Sequence, residues 1–486
     1  MPSRVVRVRS RGARPLTADP AGAGLREGVE AIRAELGVSA EFPSEVEEAA
    51  AKAAAEPRLP TLDRTDLPLI TIDPDTAMDL DQAMHLERDG DGFVVYYAIA
   101  DVAAFVEPDG PVDLEARRRG QTLYGADSKV PLHPKAISED AGSLLPEQVR
   151  PALLWTIRLD VTGAQVAARV ERAQVRSRSR HGYGEVQAAL DAGEAAEVFE
   201  LLRTIGTLRQ ELEAARGGVS LPLPEQEVSV ADDGTWQLAF RSMHPIEECN
   251  AQISLLTGMA AASLMVEAEV GLLRTLPPAD PRDVARLRRT ALGLGIAWPE
   301  DVDYPGFVRS LDPDLPKHAA MLVACTRLLR GSGYAGFAGE LPEVTGHAAV
   351  AADYAHVTAP LRRLVDRYAS EICVALCAGQ PVPPWVLARL DDVPEAMAAS
   401  GRTASRYERA ILDLVEATAL AGRIGERFTA VVMEVEEKSA TRGEITIADP
   451  AIEARVSSER ELPLGEQVEV TLTTADPVAR KVAFTC

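Results

Sequence analysis

Four aspartates fall within nine residues of one another in the stretch Thr71-Ile-Asp-Pro-Asp-Thr-Ala-Met-Asp-Leu-Asp-Gln82. They follow a short apolar run, residues 67–72, that predicts a strand, and Pro74 ends this strand and turns the chain. Carboxylates on a loop that leaves a strand can converge on one point. Magnesium takes a few such oxygens together with water and substrate phosphate. The stretch therefore predicts a site for displacement at phosphorus, where one or two metal ions hold the attacking and leaving oxygens.

The same residues, taken alone, have two other interpretations. A solvated acidic turn, with Asp75 capping a short helix, explains the stretch equally well. A calcium loop is the second alternative, but an EF-hand needs Asp at alternate positions, a Gly at the sixth and a Glu at the twelfth. The spacing in this chain does not follow that pattern.

A resemblance to a known family rests on several motifs in one order. Residues 71–82 resemble the signature of the ribonuclease II family (the RNB domain), whose catalytic aspartates sit in a Thr-Ile-Asp…Asp-Leu-Asp-Asp pattern. The motifs that follow are Tyr97-Ala-Ile-Ala-Asp-Val-Ala-Ala-Phe-Val106, Tyr124-Gly125, Val130-Pro-Leu-His-Pro134, Ser143-Leu-Leu-Pro146, Ile246-Glu-Glu248 and Tyr354-Ala-His-Val-Thr-Ala-Pro-Leu-Arg-Arg363 with Asp366. Together they extend over about residues 60–425, and their shared order makes the resemblance specific.

The resemblance implies a catalytic role for the aspartates. Asp73, Asp79 and Asp81 match three of the family's four catalytic positions, and Gln82 stands at the fourth. A glutamine oxygen can ligate Mg²⁺ but brings no charge, so we expect weaker metal binding, which Asp75 could offset. Asp81 is the aspartate expected to position the attacking water, with Asp79 beside it. One or two Mg²⁺ ions, or Mn²⁺, are the implied cofactors.

The resemblance also implies contacts to a nucleic acid. Tyr124 matches the tyrosine that stacks on the terminal nucleotide, a contact that tolerates any base. Glu247, or its neighbour Glu248, is expected to contact the last sugar, because a 2′-hydroxyl contact distinguishes RNA from DNA. On their own, two glutamates on a helix indicate only a solvated face.

Two adjacent arginines complete the implied site. Arg362 matches the family arginine that steadies the phosphate and its developing charge, and Arg363 is expected at the substrate as well. An arginine doublet alone favours a buried ion pair with Asp366, at the start of a helix. The surrounding motif instead favours the catalytic interpretation.

Composition limits the class of protein. The chain has 486 residues, 46% hydrophobic and 26% charged, which is typical of a soluble globular protein with two or three domains. Five scattered cysteines favour a reducing cytoplasm over a disulfide framework. We expect no membrane association and a monomer. The net charge of −23 makes non-specific phosphate binding weak, but the distribution of charge matters more than its sum.

The chain divides into three predicted regions of an α+β protein. Residues 1–60 combine a basic arm with two helices, of which the second has a capping box at Ser44 and Glu47. Family members usually carry one or two cold-shock barrels here, but this region is too short for two of them and its pattern is helical. We therefore expect the barrels to be missing, and either a small helix-turn-helix-like domain or a lead-in helix packed on the core to stand in their place. Residues 61–425 are predicted to form an RNB-type catalytic domain of mixed sheet and helices, in which residues 93–106 and 152–161 are β-rich and helices are expected over 245–273 and 361–378, among others. Residues 426–486 contain five predicted short strands, at 428–435, 443–447, 452–456, 467–472 and 480–484, which indicate an OB-fold β-barrel that binds RNA.

The resemblance therefore implies an Mg²⁺-dependent hydrolytic 3′–5′ exoribonuclease. It would degrade single-stranded RNA processively to nucleoside 5′-monophosphates. One alternative is a catalytically impaired protein on the same scaffold that binds RNA 3′ ends, with Gln82 marking the loss of catalysis. Another is a DNA-directed nuclease or regulator that uses the N-terminal helices. No Walker-type Gly-x-x-x-x-Gly-Lys, Cys-x-x-Cys or Gly-x-Ser-x-Gly motif offers a competing chemistry.

Overall fold

The computed structural model describes residues 7–9, 20–74, 77–125, 129–230 and 236–486. The helices in these ranges are α1 (Pro20–Leu36), α2 (Ser44–Ala55), α3 (Pro111–Arg119), α4 (Tyr183–Ala192), α5 (Glu197–Arg216), α6 (Pro245–Glu267), α7 (Pro281–Leu294), α8 (Tyr304–Arg309), α9 (Pro316–Cys325), α10 (Leu364–Cys377), α11 (Pro384–Leu387) and α12 (Asp392–Leu420). Short 3₁₀ turns cover Val102–Ala104 and Thr326–Leu329, and a π-helical turn covers Ala136–Ala141.

The strands follow the same chain order. They are β1 (Arg7–Arg9), β2 (Leu69–Ile72), β3 (Gln82–Asp89), β4 (Gly92–Ala100), β5 (Leu123–Tyr124), β6 (Lys129–Val130), β7 (Val149–Leu159), β8 (Gln165–His181), β9 (Glu225–Val230), β10 (Trp236–Arg241), β11 (Val270–Thr275), β12 (Gly333–Ala338), β13 (Gly346–His347), β14 (Ala352–Asp353), β15 (Arg427–Glu436), β16 (Ser439–Ile447), β17 (Ile452–Ser457), β18 (Gln467–Asp476) and β19 (Lys481–Thr485).

A closed five-stranded barrel, in the order β2-β3-β4-β7-β8, lies at the centre of the fold. β2 is antiparallel to β3 and parallel to β8, so that β8 closes the barrel. Tyr97 and Trp155, opposite each other on β4 and β7, are fully buried. Because side chains alternate along a strand, these large rings fill one face while the other face packs against the adjoining elements.

The helix α6 packs along this barrel. Ile253, Leu256 and Ala260 on its inner face are completely buried in the same hydrophobic cluster as Trp155. By length and composition alone, α6 could cross a membrane, but 61% of its apolar window is buried inside the protein. Core helices of soluble proteins meet the same criterion, so this helix is weak evidence for membrane insertion.

The C-terminal strands form a second closed barrel, in the order β15-β16-β17-β19-β18. This confirms the five strands and the OB-type barrel predicted from the sequence. Phe428 and Phe484 are both buried in its core, with their rings edge to face at 5.7 Å. These two rings therefore hold the barrel together and do not offer a stacking surface for bases.

The two N-terminal helices pack on different parts of the molecule. α1 joins α12 and the C-terminal barrel in one hydrophobic cluster, and Arg33 Nε donates to the Tyr407 hydroxyl at 3.2 Å. α2 joins a separate cluster against α3 and the π-helical turn. Arg7–Arg9 of the basic arm pair with β9 as a parallel strand, and its other arginines lie outside the described residues. The domain boundary at residue 60 stays a prediction.

Several predicted element boundaries need correction. The capping box at Ser44 and Glu47 is wrong, because α2 begins at Ser44 itself and no side chain caps it. The helix predicted over 361–378 begins at Leu364, so both arginines of the doublet precede it. The helix predicted over 245–273 ends at Glu267.

Candidate active site

The aspartate loop, residues 73–81, of which 75 and 76 lie outside the described ranges, leads from β2 to β3 at one end of the catalytic barrel. Ser143, which is fully buried, holds the middle of the loop. Its Oγ donates to the Met78 carbonyl at 2.7 Å and accepts from the Leu80 amide at 2.9 Å. The Leu144 amide donates to the Leu80 carbonyl at 3.0 Å. Sequence reasoning left Ser143 in a motif without a role, and the structure shows that it shapes the loop.

Asp81 is the aspartate most tightly fixed by the fold. Its Oδ1 accepts from the Leu361 amide at 2.8 Å, and its Oδ2 lies 3.7 Å from Arg362 Nε. The Asp81 backbone carbonyl accepts from the Ala100 amide at 2.9 Å. The aspartate loop and the arginine doublet, 280 residues apart in the chain, therefore meet at this side chain.

Burial dominates the electrostatics of two loop aspartates. It raises the pKa of Asp81 to about 8 and that of Asp73 to about 7, although Arg362 acts on both carboxyls in the opposite direction. Among the described residues, Asp73 Oδ2 is buried without a hydrogen-bond partner. Both carboxylates are thus under-compensated for charge, and a bound cation would stabilise their ionised forms.

Asp79 has a partner within the protein. Lys129 Nζ donates to Asp79 Oδ1 at 2.9 Å, and Glu139 Oε1 lies 3.0 Å from the same ammonium. Glu139 belongs to the π-helical turn Ala136–Ala141. No local pattern in the sequence marks this triad, because Lys129 and Glu139 lie 50 and 60 positions after Asp79.

Gln82 is held at both ends of its amide. Nε2 donates to the Thr358 carbonyl at 2.7 Å, and Oε1 accepts from the Tyr97 hydroxyl at 2.5 Å. The Tyr97 hydroxyl also lies 2.8 Å from Ser254 Oγ. If Gln82 binds a metal ion as predicted, only the second lone pair of its Oε1 remains for that contact. Asp75 lies outside the described residues.

The two arginines of the doublet have different environments. Arg363 makes two hydrogen bonds to Asp366, at 2.9 and 2.8 Å, and Asp366 is completely buried. Arg362 has a side chain that is 44% exposed and faces Asp81. Arg363 therefore forms the ion pair of this segment, whereas Arg362 keeps an accessible guanidinium beside Asp81, and its predicted contact with a phosphate stays a prediction.

Tyr124 lies beside this group. It pairs across a two-stranded ribbon with Lys129, and it is partly exposed. Burial raises its pKa, and the charges of Arg362, Asp79 and Asp81 all act on its hydroxyl. Tyr124 therefore lies within electrostatic range of the aspartates, and its predicted stacking on a nucleotide stays a prediction.

Glu247 lies at the start of α6, in an ion pair. Both of its carboxylate oxygens accept from Arg241, at 2.6 and 2.9 Å, and Oε1 also accepts from the His244 amide at 3.1 Å. Its neighbour Glu248 accepts from Gln210 at 3.2 Å on the exposed side. These contacts hold Glu247 at the helix start, and its predicted contact with the last sugar stays a prediction.

The donor set fits one hard cation. Within the described ranges, no three His, Cys, Asp or Glu side chains already form a ready metal-binding cluster. Magnesium does not need one, since it is commonly bound by one or two carboxylates with water and substrate phosphate. Asp73 and Asp81 supply such oxygens, and the unpartnered Asp73 Oδ2 is the atom that a cation would satisfy.

Comparisons of sequence identify the family of two parts of the chain. The RNB-domain family matches residues 62–378, and the C-terminal S1 domain of RNase II-type exonucleases matches residues 426–486. Ribonuclease R of Escherichia coli is 29% identical over 322 residues, which are 63% of this chain and 39% of that protein. Ribonuclease R of Aquifex aeolicus is 27% identical over 361 residues, 71% of this chain and 50% of that protein. The chain thus spans half or less of the length of these curated relatives.

Comparisons of structure show the same fold. Mycoplasma genitalium RNase R, in complex with ribose methylated single-stranded RNA, aligns with a TM-score of 0.84 and 20% identity, over 96% of this chain and 78% of that one. Yeast Ssd1, a pseudonuclease, aligns with a TM-score of 0.70 and 16% identity, over 90% of this chain and 56% of that one. With the family match over residues 62–378, these findings show that the chain belongs to the RNB-domain family.

Proposed function

We propose that this protein is a 3′–5′ exoribonuclease that hydrolyses single-stranded RNA processively to nucleoside 5′-monophosphates with the help of Mg²⁺. We also propose that it acts as a monomer in the cytoplasm. The observation that carries the proposal is the meeting of Asp81 with Leu361 and Arg362. A buried carboxylate fixed beside a half-exposed guanidinium suits a phosphodiester in the same place. The relatives named ribonuclease R support the reaction class.

The reaction is the addition of water across the last phosphodiester. The water oxygen forms a new bond to phosphorus as the P–O3′ bond breaks, so the phosphate leaves on the released nucleotide, and the 3′-oxygen of the shortened RNA takes up a proton to become a hydroxyl. A Mg²⁺ ion, bound through Asp73 and Asp81, would polarise the phosphate and lower the cost of the negative charge that builds there. Asp73 and Asp81 are the residues whose buried oxygens fit this ion.

The other side chains bind and orient the substrate. Tyr124 would stack on the terminal base, which explains sequence tolerance. Arg362 Nε and the exposed part of its guanidinium would contact the phosphate, where an existing positive charge stabilises the developing negative charge. Asp81 Oδ2 would orient the attacking water, because Oδ1 is already committed to the Leu361 amide.

The test compares the wild type with Asp81→Asn on a 5′-labelled single-stranded RNA, with Mg²⁺ and with EDTA. Asparagine keeps an acceptor for the Leu361 amide but loses the charge, so we expect at least roughly 100-fold slower hydrolysis with RNA binding retained. The exposed Asp191→Asn is the matched control and is expected to behave as the wild type. Equal hydrolysis by Asp81→Asn and wild type would disprove the assigned role.

A second function, RNA 3′-end binding without catalysis, is favoured by two specific observations. Lys129 already occupies Asp79, and the Gln82 amide is engaged on both sides. The structural likeness to the pseudonuclease Ssd1 shows that this fold also occurs in a protein described as a pseudonuclease. Intact RNA across a range of Mg²⁺ concentrations, with binding retained and RNA preferred over a DNA competitor, would select this second function.

A further inference from the structure

The triad of Lys129, Asp79 and Glu139 is unusual for a metal-dependent reaction centre. Lys129 is one of only six lysines in the chain, and its ammonium lies between two carboxylates at 2.9 and 3.0 Å. All three side chains are mostly buried, at 23%, 15% and 21% exposure. Such a pair is screened from solvent far less than a surface ion pair, so its charge acts on the site at close range.

The fold places this ammonium close to the substrate position. Lys129 is the cross-strand partner of Tyr124 in the ribbon of β5 and β6. Directly paired residues project to the same side of a two-stranded ribbon. The second anchor, Glu139, comes from a π-helical turn, a distortion that is often found at functional sites. Two independent elements therefore hold one cation against the aspartate loop.

The charge balance decides how many further cations the site can take. Among the described residues, four carboxylates in their ionised forms, Asp73, Asp79, Asp81 and Glu139, face three protein cations, Lys129, Arg180 and Arg362, and the neighbouring Arg363–Asp366 ion pair adds no net charge. One net negative charge remains, and Gln82 adds none. A single divalent ion already reverses that balance, so a second would enter a site of net positive charge and be repelled.

We propose that Lys129 is a built-in cation of this centre. Its ammonium pairs with the Asp79 carboxylate, so that the aspartate loop binds a single divalent ion, through Asp73 and Asp81. Lys129 acts through Asp79 and is therefore a positioning residue. The inference deepens the proposed nuclease function and rests on it for the identity of the site. Gln82 acts in the same direction, since a neutral amide at that position adds no negative charge to attract a second metal ion.

The experiment counts Mn²⁺ bound to the full-length protein without RNA, using the loss of the free-ion signal in electron paramagnetic resonance. The wild type is expected to bind one ion per chain. Lys129→Met frees Asp79 and is expected to bind Mn²⁺ about tenfold more tightly or to take a second ion. Lys129→Arg keeps the charge and is expected to restore the wild-type titration. The exposed Lys135→Met is the matched control and should match the wild type.

Two results would overturn the inference. The first is a wild type that binds either two ions or none, and the second is a Lys129→Met titration identical to that of the wild type. If Lys129→Met does not fold, as judged by its thermal transition, Lys129→Gln takes its place. RNA hydrolysis by the wild type is measured in parallel. Hydrolysis together with two bound ions rejects the role of Lys129 and keeps the nuclease, whereas one bound ion without hydrolysis rejects the nuclease alone.

Discussion

At the scale of single residues, Ser143 determines the shape of the aspartate loop. Its hydroxyl serves the Met78 carbonyl and the Leu80 amide at once, in a completely buried position. Ser143→Ala leaves both backbone groups without this partner, so we expect the free energy of unfolding to fall by about 1–3 kcal/mol. The rate of RNA hydrolysis should also fall, by more than any loss of folded protein explains, because Asp79 and Asp81 flank Leu80. Urea denaturation and initial rates measure the two effects.

A second buried serine provides the control for that prediction. Ser370 on α10 is 1% exposed, and its hydroxyl has no hydrogen-bond partner among the described residues. Ser370→Ala removes an unsatisfied polar group, so it is expected to be neutral or slightly stabilising. Equal losses of stability in the two variants would show that packing, and not the two hydrogen bonds, explains the effect at Ser143.

The arginine doublet shows what sequence alone leaves open at this scale. The ion pair with Asp366 is formed by Arg363, whereas Arg362 faces Asp81 and its phosphate contact stays a prediction. Two adjacent arginines have the same chemistry in the sequence. Their roles separate only because α10 begins after them, which turns Arg363 toward Asp366 three positions on. The Lys129 contact was missed for a related reason, since no local pattern marks it.

At the scale of elements, close contact between α6 and the segment 354–363 positions the arginines. Gly258 makes this contact possible: a Cβ there would lie 2.6 Å from the Ala355 carbonyl oxygen and closer still to the Tyr354 ring. Gly258→Ala must push the segment away from α6, so we expect a loss of about 1–3 kcal/mol in unfolding free energy. The turnover number should also fall, since Arg362 lies on the displaced segment.

The matched control is a helical glycine in open space. A Cβ added at Gly293 on α7 would have no described atom within 4 Å beyond its own helix backbone and chain neighbours. Gly293→Ala should raise stability by about 0.5–1 kcal/mol, because alanine loses less backbone entropy on folding. If Gly258→Ala gained stability in the same way and kept its activity, α6 would not position the segment.

Elements with a strong local pattern could be predicted, and those with distant partners could not. The five C-terminal strands and α2 match their predicted positions within a few residues. β8 was not predicted, because its buried side offers small residues such as Ala173 and Ser177 while its other side carries arginines. α6 was predicted too long because Val270–Thr275 pairs instead with β12, far along the chain.

At the scale of the whole molecule, the fold brings three basic side chains to the aspartate loop of an acidic protein. The net charge is −23, yet Arg362, Lys129 and Arg180 all act on the aspartate loop. Long-range attraction of RNA is therefore weak, and affinity has to come from local contacts. The N-terminal helices strengthen the whole assembly, because α1 links α12 to the C-terminal barrel within one core.

Acid sensitivity is a property of the whole fold that buried histidines predict. His133 is 2% exposed, and burial lowers its pKa to about 3, with Arg367 and Arg119 acting in the same direction and Asp113 against them. In the unfolded chain His133 takes up a proton with its ordinary pKa of about 6.5, whereas in the folded protein it stays neutral until the pH falls to about 3. The stability contributed by neutral His133 is therefore complete above pH 6.5 and is lost progressively as the pH falls toward 3.

His133→Gln removes this titration and keeps a side chain that can hydrogen-bond to the backbone near Pro360. Between pH 7 and pH 4.5 the wild type is expected to lose about 2–3 kcal/mol more unfolding free energy than the variant. Urea unfolding at several pH values measures the two slopes, and a constant loss caused by changed packing at residue 133 shifts one curve without changing its steepness. Parallel curves would mean that His133 takes up its proton equally well in the folded state. The acid sensitivity of the fold would then have to come from another titratable group. The contact of His133 with the backbone at Pro360, just before Arg362 and Arg363, would then not require a neutral imidazole.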